Sequence, residues 1–202
     1  MGLEDMEALV EAVKKRIFVE LEASGRHVHV TQQQAQRLFG HGLTPKRPLS
    51  QPGQFLARER VTIRGPKGEL AHVAVLGPER KEAQVEISLT DGKVLGIVPP
   101  VRGSGDVAGS PGITVIGERG SVTLSQGVIA AQRHVHMTPE DAARMGVADR
   151  QIVRLQVFTE RPLVFEDVLV RVNKDYATYV HLDYDEANAC GMRPGDLGRI
   201  LQ

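Results

Sequence analysis

The sequence predicts a mostly β chain whose short strands curl into small closed barrels capped by short helices. Three observations carry this prediction. Short β-branched runs recur at regular spacing, turn residues separate them, and one strand-to-helix segment occurs twice. That segment is Arg26-His27-Val28-His29, repeated as Arg133-His134-Val135-His136. Its flanks repeat too: Thr31 matches Thr138, Ala35 matches Ala142, and Arg37 matches Arg144. Each copy reads as a strand, a Thr N-cap and a short helix. Thr31 with Gln34 fits a capping box, and Thr138-Pro139-Glu140-Asp141 puts Pro and acids in a first helical turn.

The elements follow in order. Residues 3–17 carry Leu3, Met6, Leu9, Val10, Val13 and Ile17, the stripe of an amphipathic helix. With no linker after it, this helix is expected to pack over a barrel end; the competing role is a peptide that docks on a protein shell. Ile17 to Val30 reads as strand running into the first histidine pair. A polar helix covers about 32–39, Gly40-His41-Gly42 is a loop, and Thr44 to Gly53, with three prolines, reads as an irregular surface segment. Val61–Ile63 and Leu70–Leu76 flank a hairpin turn at 65–68, with His72 expected to be a partly buried strand residue. Val85–Leu89 and Val94–Val98 are expected to flank a second hairpin at Thr90-Asp91-Gly92-Lys93. Residues 99–112, with three prolines and four glycines, form a long loop. Further strands are expected at 113–116, 121–124, 127–130, 152–158, 163–172, 179–182 and 198–201, with a last helix at 185–189.

Composition narrows the function. The chain has 202 residues, enough for one large domain or two small ones, and is 41% hydrophobic and 25% charged, as soluble globular proteins are. Lys+Arg 25 balances Asp+Glu 25, leaving no net field to draw nucleic acid or an anionic membrane. Aromatics at 4% and no Trp leave few platforms for base stacking. The single Cys190 excludes an internal disulfide and a Cys-rich zinc ribbon, and reads as a small apolar residue. No apolar stretch is long enough to span a membrane, and the acidic start (Glu4, Asp5, Glu7) is unlike a secretory signal. The cytoplasm is the expected compartment.

Metal binding is the chemistry the residues point to. On an extended strand, His27 and His29 share one face about 7 Å apart, and so do His134 and His136. A lone H-x-H is weak, whereas an identical pair with matching flanks is strong; its bland counterpart is a polar strand face in a duplicated barrel. Each pair supplies two ligands where a catalytic zinc takes three from protein. Candidates for the missing ones are Glu86, in Gln84-Val85-Glu86-Ile87-Ser88, and His181, in Tyr179-Val180-His181-Leu182; both are polar residues inside apolar strand runs. Arg80, a few residues before Glu86, could offer a guanidinium to a phosphate or oxyanion.

Several stretches together resemble one family. They are Ser24-Gly25-Arg26-His27-Val28-His29, Gln84-Val85-Glu86-Ile87-Ser88, Gly109-Ser110-Pro111-Gly112-Ile113-Thr114, Arg133-His134-Val135-His136-Met137, and His181-x-Asp183-x-Asp185-Glu186-Ala187-Asn188-Ala189. Covering residues 16 to the end, they look like the propanediol-utilisation-type phosphotransacylases, or phosphate propanoyltransferases. Gly25 departs from the pattern, where Asn is expected, which bears on local substrate contacts.

The resemblance implies two antiparallel β-barrels discontinuous in sequence, one from 1–25 plus 133–202 and the other from 26–132, with the active site between them. It implies two zinc ions per chain. His27, His29 and Glu86 would hold one, with coenzyme A sulfur as fourth ligand; His134, His136 and His181 would hold the other. Arg80 falls at the family's phosphate-binding arginine, and Ser24 and Asn188 at its coenzyme A contacts. The implied reaction converts a short-chain acyl-CoA, propanoyl-CoA or acetyl-CoA, and phosphate reversibly to acyl phosphate and CoA. A homodimer is expected, with no nucleic-acid or membrane partner, in the cytoplasm or a bacterial microcompartment lumen. The rival readings are a binuclear zinc hydrolase of thioesters or acyl phosphates and a non-catalytic metal-stabilised scaffold.

Overall fold

A computed structural model describes residues 3–201. The chain opens with α1 (Leu3–Ile17), β1 (Val19–Ser24), β2 (His27–His29) and α2 (Gln32–Phe39). Next come β3 (Pro45–Pro48), β4 (Phe55–Arg64), β5 (Glu69–Gly77), β6 (Gln84–Glu86) and α3 (Leu89–Leu95). The middle of the chain holds β7 (Val101–Arg102), β8 (Ile113–Ile116), β9 (Ser121–Leu124) and β10 (Val128–Ala131). It ends with β11 (His134–Met137), α4 (Pro139–Met145), β12 (Ile152–Phe158), β13 (Leu163–Val172), β14 (Tyr179–Asp183), α5 (Tyr184–Cys190) and β15 (Leu197–Leu201). The fold is mostly β with short helices, as the strand spacing predicts. No helix among the described residues is long and apolar enough to cross a membrane.

The chain divides into two compact units. The first gathers the segment ending at Ser24, Arg133–Leu182, and the segment from Glu186 onward. Its strands close into a barrel in the order β1-β14-β11-β13-β12-β15. Inside, Leu21, Val135, Met137, Leu155, Val170 and Leu182 are buried. The second unit is Gly25–Gln132 with Asp183–Asp185. Its strands follow the path β7-β10-β6-β2-β5-β4-β8-β9, with β3 on β4, as a curled half-barrel that does not close. Val28, Leu38, Ile63, Val75, Val85 and Leu95 fill it. Burying each such side chain contributes about 1.5–3 kcal/mol. These cores are the outward force on the histidines: Val28 and Val135 occupy the inward face of their strands, so the flanking histidines take the other.

Both sheets include parallel neighbours. Each histidine strand has one parallel and one antiparallel partner: β2 lies between β5 and β6, and β11 between β13 and β14. The capped helices after them match the sequence reading. Thr31 accepts from the Gln34 N–H at 3.2 Å while the Gln34 side chain accepts from the Thr31 N–H at 2.9 Å. Thr138 caps α4, with Pro139 in its first turn.

Several expectations are corrected. The expected hairpin at 90–93 is instead α3: Ser88 and Asp91 form a reciprocal capping box, and Gly96 at φ 74° ends the helix in a left-handed C-cap. Asp91 and Gly92 thus sit inside a helix, and Val94–Val98 is not a strand. Pro45–Pro48, expected to be irregular, forms a short strand on β4. The strand expected to run from Ile17 to Val30 is broken: α1 ends at Ile17, and β1 and β2 are separated at Gly25-Arg26. At Gly25 a Cβ would lie 2.5 Å from the Tyr184 ring, so the glycine lets that exposed tyrosine lie close over the backbone. His72 is exposed, not partly buried, and takes φ 56° at a β-bulge. The expected packing role of α1 is met only as an approach to α4, since every α1 side chain described is exposed, Met6, Leu9, Val10, Val13 and Ile17 included.

Candidate metal centres

The first centre is a ladder product. β2 and β6 run antiparallel with His27 opposite Glu86, Val28 opposite Val85, and His29 opposite Gln84. Directly paired residues share a face. The valines therefore enter the core, and His27, His29, Glu86 and Gln84 converge on the other side. His27, His29 and Glu86 are 5%, 2% and 7% exposed, and each offers a ligand atom within 4.8 Å of the others. His27 Nδ1 stands 2.8 Å from the Gly25 carbonyl. A carbonyl only accepts, so Nδ1 carries the proton and Nε2 is the free donor, 3.6 Å from Glu86 Oε2. Gln84 steadies the carboxylate, donating to Glu86 Oε1 at 2.5 Å and to Ser104 Oγ at 2.8 Å, while its own oxygen accepts from the Gly105 N–H at 2.7 Å.

The electrostatics suit a cation. Burial, with help from His27 and Arg80, drives the His29 imidazole down to about 2, so it is neutral with a lone pair to give. Among the described residues its buried Nδ1 meets no partner at hydrogen-bond geometry. Burial opposes ionisation of Glu86, but the histidines beside it win and hold its carboxyl well below the usual range. Burial likewise lowers His27, yet the Glu86 carboxylate more than offsets this and its net shift is upward. A buried carboxylate between imidazoles demands a positive charge among them.

The second centre repeats the plan. β11 and β14 run antiparallel with His134 opposite His181 and Val135 opposite Val180. The ring centroids of His134, His136 and His181 lie 4.6, 5.1 and 4.9 Å apart, and the three again offer ligand atoms within 4.8 Å of one another. His181 Nδ1 faces Glu22 Oε2 of β1 at 3.5 Å. The Tyr176 ring lies 4.2 Å from that of His136.

The repetition reaches well past the four matched residues. In each unit the third ligand is the ladder partner of the first histidine. The parallel neighbours β5 and β13 each bulge two residues before the position that pairs with that histidine, at His72 and Asp167, both with positive φ. The arginine before each pair reaches the third residue of the helix that follows the third ligand. Arg26 grips Asp91 at 2.7 and 2.9 Å, and Arg133 meets Glu186 at 2.7 Å.

The structure thus brings together both proposed ligand sets. Arg80 is half-buried in the same unit as the first set; its backbone N–H donates to the Val30 carbonyl at 2.9 Å, and its charge acts on His27 and His29. Ser24 ends β1 and Asn188 is an exposed residue of α5; among the described residues neither hydrogen-bonds a member of either set. Sequence reasoning passed over Gln84, Glu22, Tyr176 and the acids paired with Arg26 and Arg133. Gln84 and Glu186 stand inside the stretches that carry the resemblance, and both arginines recur with the motif, whereas Glu22 and Tyr176 left no signal.

Two imidazole nitrogens and a carboxylate in one unit, and three imidazole nitrogens in the other, are donor sets that fit zinc with a position left open. A duplicated β chain thus carries one such candidate donor set in each half. Residues 20–193 match the phosphate propanoyltransferase family. The chain is 52% identical to the phosphate propanoyltransferase of Enterococcus faecalis, covering 99% of each chain. It is 51% identical to that of Listeria monocytogenes, over all of this chain and 98% of the relative. Against that of Thermotoga maritima it is 49% identical, over 95% and 93%. The chain belongs to the phosphate propanoyltransferase family and is an acyltransferase.

Proposed function

We propose that the protein is a zinc-dependent phosphate acyltransferase that converts a short-chain acyl-CoA, propanoyl-CoA or acetyl-CoA, and inorganic phosphate reversibly to acyl phosphate and CoA. The observation that carries this is the pair of three-ligand sets, buried except for a half-buried His181, at matching ladder positions in a chain of this family. His27, His29 and Glu86 would hold one zinc ion, and His134, His136 and His181 a second. Zinc, when bound, deprotonates a coordinated thiol and polarises coordinated oxygen.

The chain's own residues prepare that chemistry. The Gly25 carbonyl holds the His27 proton on Nδ1 and so keeps Nε2 turned to its ligand, while the Gln84 amide fixes the orientation of Glu86. Burial excludes water around the first set, which strengthens every charge interaction there. In the forward direction a phosphate oxygen adds to the thioester carbonyl carbon, the C–S bond breaks, and the electron pair leaves on sulfur as thiolate. The Arg80 guanidinium offers a two-pronged donor to phosphate and to the charge developing on the carbonyl oxygen. Direct transfer requires no nucleophilic side chain, and none is offered by Cys190, whose fully buried thiol is pushed up by its burial.

The test is product analysis of the zinc-loaded protein with acetyl-, propanoyl- and butanoyl-CoA in phosphate buffer. Phosphate-dependent CoA release with accumulation of acyl phosphate is expected. Release of free acid independent of phosphate would instead establish a thioester hydrolase.

A further inference from the structure

We propose that Arg171 is a further substrate-contacting residue, gripping the phosphate group at the His134, His136 and His181 set. Strand pairing puts it there. β13 runs parallel to β11 with His136 and Arg171 as register partners, flanked by Val135 and Val170. Both valines are fully buried in the barrel core, so His136 and Arg171 turn to the opposite face together. The Arg171 guanidinium lies over the Tyr176 ring, 6.0 Å from its centroid, and that ring in turn lies 4.2 Å from the His136 ring. Tyr176 is itself held in the turn after β13, its N–H donating to the Asn173 carbonyl at 3.1 Å. Imidazole, phenol and guanidinium therefore form one stack that ends in a positive charge.

Among the described residues no acid pairs with Arg171, whereas Arg26, Arg133 and Arg144 each hold a carboxylate. The two ligand sets differ in the same sense. The first includes its own anion, Glu86. The second is made of three imidazoles, and Glu22 Oε2 lies 3.5 Å from His181 Nδ1. A dication held by the second set, with Arg171 beside it, would keep a surplus of positive charge that a phosphate dianion balances. A guanidinium also presents two parallel N–H donors that match the spacing of phosphate oxygens.

This inference rests on the phosphate acyltransferase reading, and a binding measurement separates the two. Full-length zinc-loaded wild type, Arg171→Ala, Arg171→Gln and Arg171→Lys are titrated with inorganic phosphate by calorimetry. Steady-state KM is then measured separately for phosphate and for acyl-CoA, with zinc content and melting temperature as controls. Losing a hydrogen bond to a charged group lowers affinity about tenfold or more. Arg171→Ala and Arg171→Gln are therefore expected to weaken phosphate binding and to raise the phosphate KM by that factor. The acyl-CoA KM and zinc content should hold at wild-type values, and Arg171→Lys should recover part of the loss. Wild-type phosphate affinity in a folded Ala or Gln variant overturns the proposal. So does a rise confined to the acyl-CoA KM, which would mean that the coenzyme's own phosphates are what Arg171 meets. A wild type that binds phosphate but makes no acyl phosphate would sink the acyltransferase reading while the titration still decides the role of Arg171.

Discussion

Replacing Gln84 by Met should weaken metal binding at one centre and leave the other untouched. Gln84 is 2% exposed and touches no cation itself; it acts through its amide, which donates to Glu86 Oε1 at 2.5 Å and to Ser104 Oγ at 2.8 Å. Met fills much the same volume but withholds the donor, so the change removes orientation with little cavity. Outer partners of metal ligands typically contribute about 10–100-fold in affinity, roughly 1.4–2.8 kcal/mol. Glu86 lies at the upper end of that range because its carboxylate is buried and the lost bond is charge-assisted. A chelator titration of the zinc-loaded protein, with released metal read by a colorimetric dye, should show two steps. In Gln84→Met the step belonging to His27, His29 and Glu86 should move by that factor while the step of His134, His136 and His181 stays in place. Equal movement of both steps, or of neither, would refute the reasoning that Gln84 serves one carboxylate in one unit.

Three further outcomes follow from the same geometry. Arg80→Ala should leave zinc content unchanged but cut turnover with phosphate by about 2.7–4 kcal/mol, roughly a hundredfold or more, with Arg80→Lys restoring only part, as steady-state kinetics would reveal. His27→Ala and His134→Ala should each lose about one of two zinc ions by elemental analysis and the double variant nearly all, with coenzyme A affinity falling mainly in His27→Ala. Removing residues 1–16 should leave the melting temperature within about 2 °C of the full chain, because no α1 side chain described is buried; a larger fall in a thermal melt would show that the helix stabilises the barrel.

The first two ligands of each centre were legible because they sit two apart on one strand, and strand periodicity is local. The third ligands were legible for a different reason: Glu86 and His181 are polar residues inside apolar runs, which implies a purpose for the exception. Their supports were not, because Gln84, Glu22, Tyr176 and Arg171 gain meaning only from ladders and stacks between distant segments. The hairpin expected at 90–93 failed on local grounds. Asp91-Gly92 is a strong turn signal, but Ser88 three residues before Asp91 completes a capping box, and Gly96 supplies the helix stop. The α1 stripe shows the opposite limit, since amphipathicity establishes that a helix has an apolar face and not that anything in the same chain covers it.

The cross-strand origin of each ligand set makes metal uptake a marker of chain assembly. A strand that slips by one residue turns its side chains to the other face, so a set in which β6 answers β2, or β14 answers β11, exists only once that pairing is in register. The two sets also mature at different times. As the chain leaves the ribosome, β2, β5 and β6 emerge together, and the first set is complete once Glu86 is free. The second set waits for His181, nearly the last strand, and its barrel must also recover β1 from the opposite end of the sequence. On the proposed zinc reading, a nascent chain would be able to take one ion long before it would be able to take two.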